Sequence, residues 1–327
     1  MSKRARSKIF SALRILIALG LLAFLIKTQL KDFSKAIQII KSGDIPLLIL
    51  SFSMHFFGIL ITTIRWNILL RTQKIIYSNS FLLSSILIGF FFNNFLPTSI
   101  GGDIYRIYDT SKAQNSSVPK STSVIIIERL IGVASATIYL VAALFLGFTQ
   151  IQVNSIATPI IILFVVSTLL LIVLLFPEKF KLNLLLDKMR FLHRFSDKLK
   201  QMYDTFISFK KYKITMVETL FLSLALQFCV ILNYYFCARA FGINLALISF
   251  LFIVPVVATI SMIPISIGGI GVRENSLVFL MVSLGASNQK SAIVSLVLFL
   301  MLLIPGIAGG IIYAVRPYIG RKTKTSE

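Results

Sequence analysis

Eight apolar runs recur along the 327-residue chain, at 9–26, 45–70, 81–96, 122–148, 156–176, 214–241, 245–263 and 292–315. Each is close to the ~20 residues needed to cross a hydrocarbon layer. In that medium every backbone N–H and C=O must be paired within the protein, so apolar runs of this kind fold as helices. The composition agrees: 57% of residues are hydrophobic and 14% charged, against roughly half and a quarter in soluble domains. The expectation is an all-α, polytopic transmembrane helix bundle forming one integral membrane domain over 1–327.

The net charge of +21 would suggest nucleic acid in a soluble protein. Here the Lys and Arg residues lie in loops between apolar runs, which fits membrane orientation and attraction to anionic head groups instead. No nucleic-acid partner is expected. The basic tail before the first run (Lys3, Arg4, Arg6, Lys8) resembles a signal-peptide start. No small-residue cleavage site follows, so the run reads as a retained helix.

Basic loops mark the cytoplasmic side. The segment 177–213 holds ten Lys and Arg, and both tails are basic, whereas 149–154 and 242–244 carry no charge. Five apolar runs then separate two cytoplasmic points, so one of them does not cross. The third is the candidate, because it runs into Pro97, Ser99, Gly101 and Gly102, and Pro and paired Gly break helices. The seventh run meets a matching break at Pro264, Ser266, Gly268 and Gly269. Both breaks read Pro-x-Ser-Ile-Gly-Gly-x-x-x-Arg, six identities in ten positions at a separation of 167 residues.

The reading that follows has six crossings and two re-entrant hairpins that enter from opposite sides. Both termini are cytoplasmic in the cell membrane. The first repeat covers about 45–176 and the second about 214–315, joined by the basic loop 177–213. Matched interruptions in oppositely oriented halves are the sequence sign of an inverted-repeat transporter with its site near the midplane.

At these residues the chain resembles the flippase-like family that includes the transmembrane region of lysylphosphatidylglycerol synthases. The features are Arg65-Trp66, Asn94-Phe95-Leu96-Pro97 with Gly101-Gly102-Asp103 and Arg106, Glu128-Arg129-Leu130, and Pro264 with Gly268 through Glu274. The resemblance covers nearly the whole chain. It implies movement of lipids, aminoacylated phosphatidylglycerol among them, between leaflets. It also implies a soluble aminoacyl-transferase domain after the membrane module; the chain stops twelve residues after Val315, so lysylation is not expected of it. Family members often carry an Arg in the last crossing, where this chain reads Ser295-Leu296-Val297-Leu298-Phe299. That departure leaves the head group open.

Ser99 and Ser266 are candidate caps of return half-helices, whose N–H groups near Gly101-Gly102 and Gly268-Gly269 suit a phosphate. The plain alternative is a pair of capped turns. Arg106 and Arg273, in matching positions, are expected on the return half-helices facing a shared cavity, or Arg106 anchors its hairpin at the interface. Glu128 and Arg129 are neighbours on one helix and need separate partners. The expected arrangement pairs Glu128 with Arg106, sets Arg129 near Asp103, and neutralises Arg273 or Arg239 with Glu274. Such charges form either a static network or a working site, and intramembrane ionisable residues are functional candidates by default.

No cofactor is expected. Cys229 and Cys237 lie in one apolar run and read as packing residues; His55 and His193 are too few for a metal site or triad. No phosphate-binding Gly-x-x-x-x-Gly-Lys motif is present, which counts against ATP hydrolysis. In 185–206, Leu185, Met189, Leu192, Phe195, Leu199, Met202 and Phe206 recur every three or four residues with basic residues opposite, as in an interfacial helix or a lid. Phe33, Ile37 and Ile40 suggest a smaller surface helix. The leading expectation is a non-enzymatic carrier of a lipid with an anionic or phosphate-containing head group. The rivals are a proton-coupled carrier of a small soluble anion, and a membrane-embedded transferase whose acid or base would be Glu128, Asp103 or Glu274.

Overall fold

The computed structural model describes residues 33–95, 101–113, 117–146, 205, 207–209, 211–261, 266 and 269–322. Pro97, Ser99, Pro264 and Gly268, the runs 9–26 and 156–176 and most of the basic loop lie outside the described residues. The described elements are helices: α1 (Phe33–Lys41), α2 (Ile45–Thr72), α3 (Asn79–Phe95), α4 (Gly101–Ala113), α5 (Val118–Phe145), α6 (Lys213–Ala240), α7 (Leu247–Ser261), α8 (Val272–Ser283) and α9 (Asn288–Lys322). Four are long and apolar enough to cross a membrane, namely α2, α5, α6 and α9 over Asn288–Arg316.

Local chemistry sets the ends of these helices. Asp44 accepts the Leu47 N–H at 3.1 Å at the start of α2, and Pro46 lies in the first turn, where its missing donor costs nothing. α2 closes with Gln73 N–H donating to Leu70 O, Lys74 N–H to Arg71 O and Ile75 N–H to Leu70 O, with Lys74 at φ 61°. α6 closes in the same way: Phe241 and Ile243 donate to Ala238 O, Gly242 donates to Arg239 O, and Gly242 has φ 67°. Both are left-handed terminal turns followed by a buried isoleucine, Ile75 and Ile243.

α2 and α6 are antiparallel neighbours. Ser51 Oγ donates to Asn233 O, and Asn233 Nδ2 donates to Ser51 O, each at 2.8 Å. The Asp44 N–H donates to Ala240 O at 2.9 Å. α3 and α4 also run antiparallel. The Gly102 N–H donates to Asn93 Oδ1 at 2.8 Å near their junction, and Tyr77 Oη donates to Thr110 O at 2.9 Å near their free ends.

The helix ends sort into two groups. At one end lie the α2 C-terminus, both free ends of the α3–α4 pair and the start of α6. Gln73 Nε2 donates to Ser208 Oγ there, and Arg316 of α9 pairs with Asp109 of α4 at 2.8 Å. At the other end are the α2 N-terminus, the α6 C-terminus and the start of α9, where Lys290 Nζ donates to Gly242 O at 3.3 Å.

Two apolar cores flank the middle of the bundle. One gathers Trp66, Leu69, Leu82, Val124 and Ile127 from α2, α3 and α5. The other gathers Ile231, Phe250, Ile253, Leu277, Met281 and Val294 from α6 to α9. α9 ties them together through small residues: a Cβ on Gly309 would collide with the Leu87 carbonyl of α3, and one on Gly306 would lie 2.6 Å from Asn94 Nδ2. Glycine at such a contact lets helix backbones approach closely.

Candidate functional site

Between the two cores is a cavity of about 640 Å³. α2 to α5 form one wall, and Ser223, Leu226 and Gln227 of α6 with Pro255, Val256 and Thr259 of α7 form the other. Pro255 removes a backbone donor from the interior of α7, and Thr259 Oγ1 donates to its carbonyl at 2.7 Å. Interrupted backbone is tolerated at membrane depth where protein or a cavity surrounds it.

The ionisable wall comes from the first half. Glu128 of α5, whose side chain is 4% exposed, is held between two guanidinium groups, 2.7 Å from Arg65 Nη2 and 2.6 Å from Arg106 Nη2. Arg65 Nη1 also donates to Ser223 Oγ across to α6 at 2.8 Å. Asp103 accepts from Arg129 Nη2 at 2.7 Å and lies 3.5 Å from Arg106 Nη1. The Arg106 guanidinium carbon stacks 4.1 Å from the centre of the Trp66 ring, a cation–π contact in a buried setting. Arg129 differs from its neighbours, since 53% of its side chain is exposed.

The expected pairings of Glu128 with Arg106 and of Arg129 with Asp103 are therefore present. α4 begins at Gly101, so Asp103 falls in its first turn, as an acidic residue at a helix N-terminus should, and Arg106 lies one turn on. Gly102 packs against α3, where a Cβ would meet the Gly89 carbonyl and Asn93.

Arg273 does not join this cavity, although it was expected to share it with Arg106. The second break is built differently: Gly269 and Gly271 both have positive φ, 77° and 81°, and α8 starts only after Gly271. Arg273 thus enters the first turn. There it bonds Glu274 Oε1 through Nε at 2.9 Å and Nη2 at 2.8 Å, so Glu274 neutralises Arg273, while Arg239 bonds Asn244. Glu274 also accepts the Gly271 N–H, in a helix-start cap. Ser266 is buried with its hydroxyl unpartnered. None of Ser266, Gly269, Arg273 and Glu274 lines the cavity.

Arg65 is the site residue that its role in the sequence did not announce. As a lone guanidinium deep in an apolar run it carried the signal of an intramembrane charge, but its partners lie 63 and 158 residues away.

These features define a polytopic helical membrane protein with a charged cavity of about 640 Å³ among its helices. Among the described residues no His, Cys, Asp and Glu group is arranged to hold a metal. The chain belongs to the family described as lysylphosphatidylglycerol synthase TM region, which matches residues 11–310. It is similar to the UPF0104 membrane protein PH1989 of Pyrococcus horikoshii, with 27% identity over 328 residues covering 91% of this chain and 95% of that protein. No solved structure matches the chain.

Proposed function

We propose that the protein carries a lipid with an anionic or phosphate-containing head group, aminoacylated or not, between the leaflets, without covalent chemistry. The observation that carries this reading is Arg129, an arginine whose side chain is half-exposed, on the wall of a largely apolar cavity. An arginine fork matches phosphate oxygens, and the apolar wall suits acyl chains. The family membership supports the same substrate class.

The mechanism proposed is rocking of two inverted repeats, about 45–176 and 214–315, joined by the loop 177–213, about the cavity. Three features support it: the antiparallel α2 and α6, their like terminal turns, and hairpin-like pairs α3–α4 and α7–α8 whose free ends fall at opposite ends of the bundle. In this reading both pairs are re-entrant. The end carrying Arg71, Lys74, Lys112, Lys120, Lys211 and Lys213 faces the cytoplasm of the cell membrane, with both termini on that side.

A second reading, proton-coupled transport of a small soluble anion, is favoured by the two carboxylates Asp103 and Glu128 within the same wall, since such groups relay protons in pumps. The deciding experiment follows fluorescent phosphatidylglycerol across proteoliposomes holding the purified chain. Movement that is lost in Arg129→Ala, Arg106→Ala supports the lipid carrier. Folded protein that moves no lipid but takes up a soluble anion supports the second reading.

A further inference from the structure

Among the described lining residues the cavity's charges do not balance. Arg65, Arg106 and Arg129 face only Asp103 and Glu128 among the described lining residues. Each carboxylate pairs with two of the arginines, Glu128 with Arg65 and Arg106, Asp103 with Arg129 and Arg106. The contacts of Glu128 with Arg65 and Arg106, at 2.7 and 2.6 Å, and of Asp103 with Arg129, at 2.7 Å, are charge-assisted bonds between ionised groups. One positive charge is left over. An uncompensated charge at membrane depth is costly, and the cost falls when a counter-charge joins it.

The unused hydrogen-bonding capacity has the same sign. Arg65 Nε and Arg106 Nε are buried without a partner, and so is Gln227 Nε2 on the opposite wall. Arg65 and Arg106 are themselves more than nine-tenths buried. All three atoms are donors. What they lack is acceptor oxygen.

We propose that the cavity selects a group of net charge −1 that is rich in acceptor oxygens, a phosphodiester monoanion, over zwitterionic and cationic head groups. The inference rests on the carrier reading only for the ligand's presence in the cavity; the charge rule is additional. It has a consequence for lipids of the lysyl type, whose two ammonium groups outnumber one phosphate: they raise the surplus instead of cancelling it.

The test is equilibrium binding to the purified full-length chain in detergent, with fluorescent phosphatidylglycerol (net −1), phosphatidylethanolamine (net 0) and lysylphosphatidylglycerol (net +1). The wild type is expected to prefer the first by about tenfold or more, the scale of one well-placed charge contact. Arg129→Gln cancels the surplus and removes the preference, and Arg129→Lys keeps both. Asp103→Asn combined with Arg129→Gln restores the surplus and regains the preference.

Equal binding of the three lipids overturns the rule, as does a preference that survives Arg129→Gln or a double variant that stays unselective. If the double variant does not fold, the Lys and Gln single variants decide alone: loss in both overturns the rule. Competition by water-soluble glycerophosphoglycerol as strong as by the lipid supports the charge rule and assigns the ligand to the aqueous phase. Charge-selective binding without transbilayer movement sinks the lipid-carrier reading and leaves this rule standing. Movement without charge selection does the reverse.

Discussion

Gly58 of α2 packs against Leu226 of α6, so that a Cβ on the glycine would lie 3.2 Å from Leu226 Cδ1. The two positions are 168 residues apart, the same interval that separates Leu70 from Ala238 in the matching terminal turns. In the inverted-repeat reading proposed above, equivalent positions that meet face to face would lie on the two-fold axis. Ser51 with Asn233 and Arg65 with Ser223 flank that contact on either side.

Glu128→Gln removes the one carboxylate between Arg65 and Arg106 and leaves two buried guanidinium groups without it. Loss of one partner from a buried ionic cluster costs about 3 kcal/mol or more. A clear drop in the thermal unfolding midpoint in detergent is expected. An unchanged midpoint would mean that the cluster is solvated and not buried.

Gly309→Ala and Gly306→Ala should differ although both glycines face α3. The added methyl meets the Leu87 backbone carbonyl at Gly309, and the movable Asn94 amide at Gly306. Overpacking against backbone costs about 1–3 kcal/mol. Side-by-side unfolding curves should therefore rank Gly309→Ala well below Gly306→Ala, and the opposite ranking would contradict the α3–α9 contact.

Asn233 and Ser51 exchange hydrogen bonds across the α2–α6 interface. Polar pairs of this kind in membranes contribute about 0.6 kcal/mol on average. Asn233 Nδ2 also donates to Ser51 Oγ at 3.1 Å, and a double-mutant cycle on Ser51→Ala and Asn233→Ala, which reads that side-chain bond, should give a coupling of that order. Strict additivity of the two variants would argue against that side-chain contact.

The proposed orientation predicts where thiol reagents reach. In a background of Cys229→Ala, Cys237→Ala, cysteine at Lys112 or Lys120 should resist a membrane-impermeant maleimide in whole cells and react after permeabilisation. Cysteine at Lys41 or Asn288 should react directly. All four residues are exposed, so the reverse pattern would overturn the proposed orientation.

Sequence alone determined the helices and much of the local charge pairing. Continuous apolar runs of about 20 residues suit a spanning helix, which pairs its own backbone, and the helices α2, α5 and α6 follow their runs to within a few residues. Glu128 and Arg129, being helix neighbours, needed partners on another element, and Asp103 and Arg106 were the available ones. Only the tertiary structure decided which helix faces meet. These helices are apolar nearly all round, because lipid and protein core ask for the same side chains, so periodicity gives no inward face. Arg65 therefore joins Glu128 only once α2 packs beside α5 and α6. Arg273 leaves the cavity for a related reason: two glycines with positive φ delay the start of α8, and a ten-residue motif match does not record how its backbone turns.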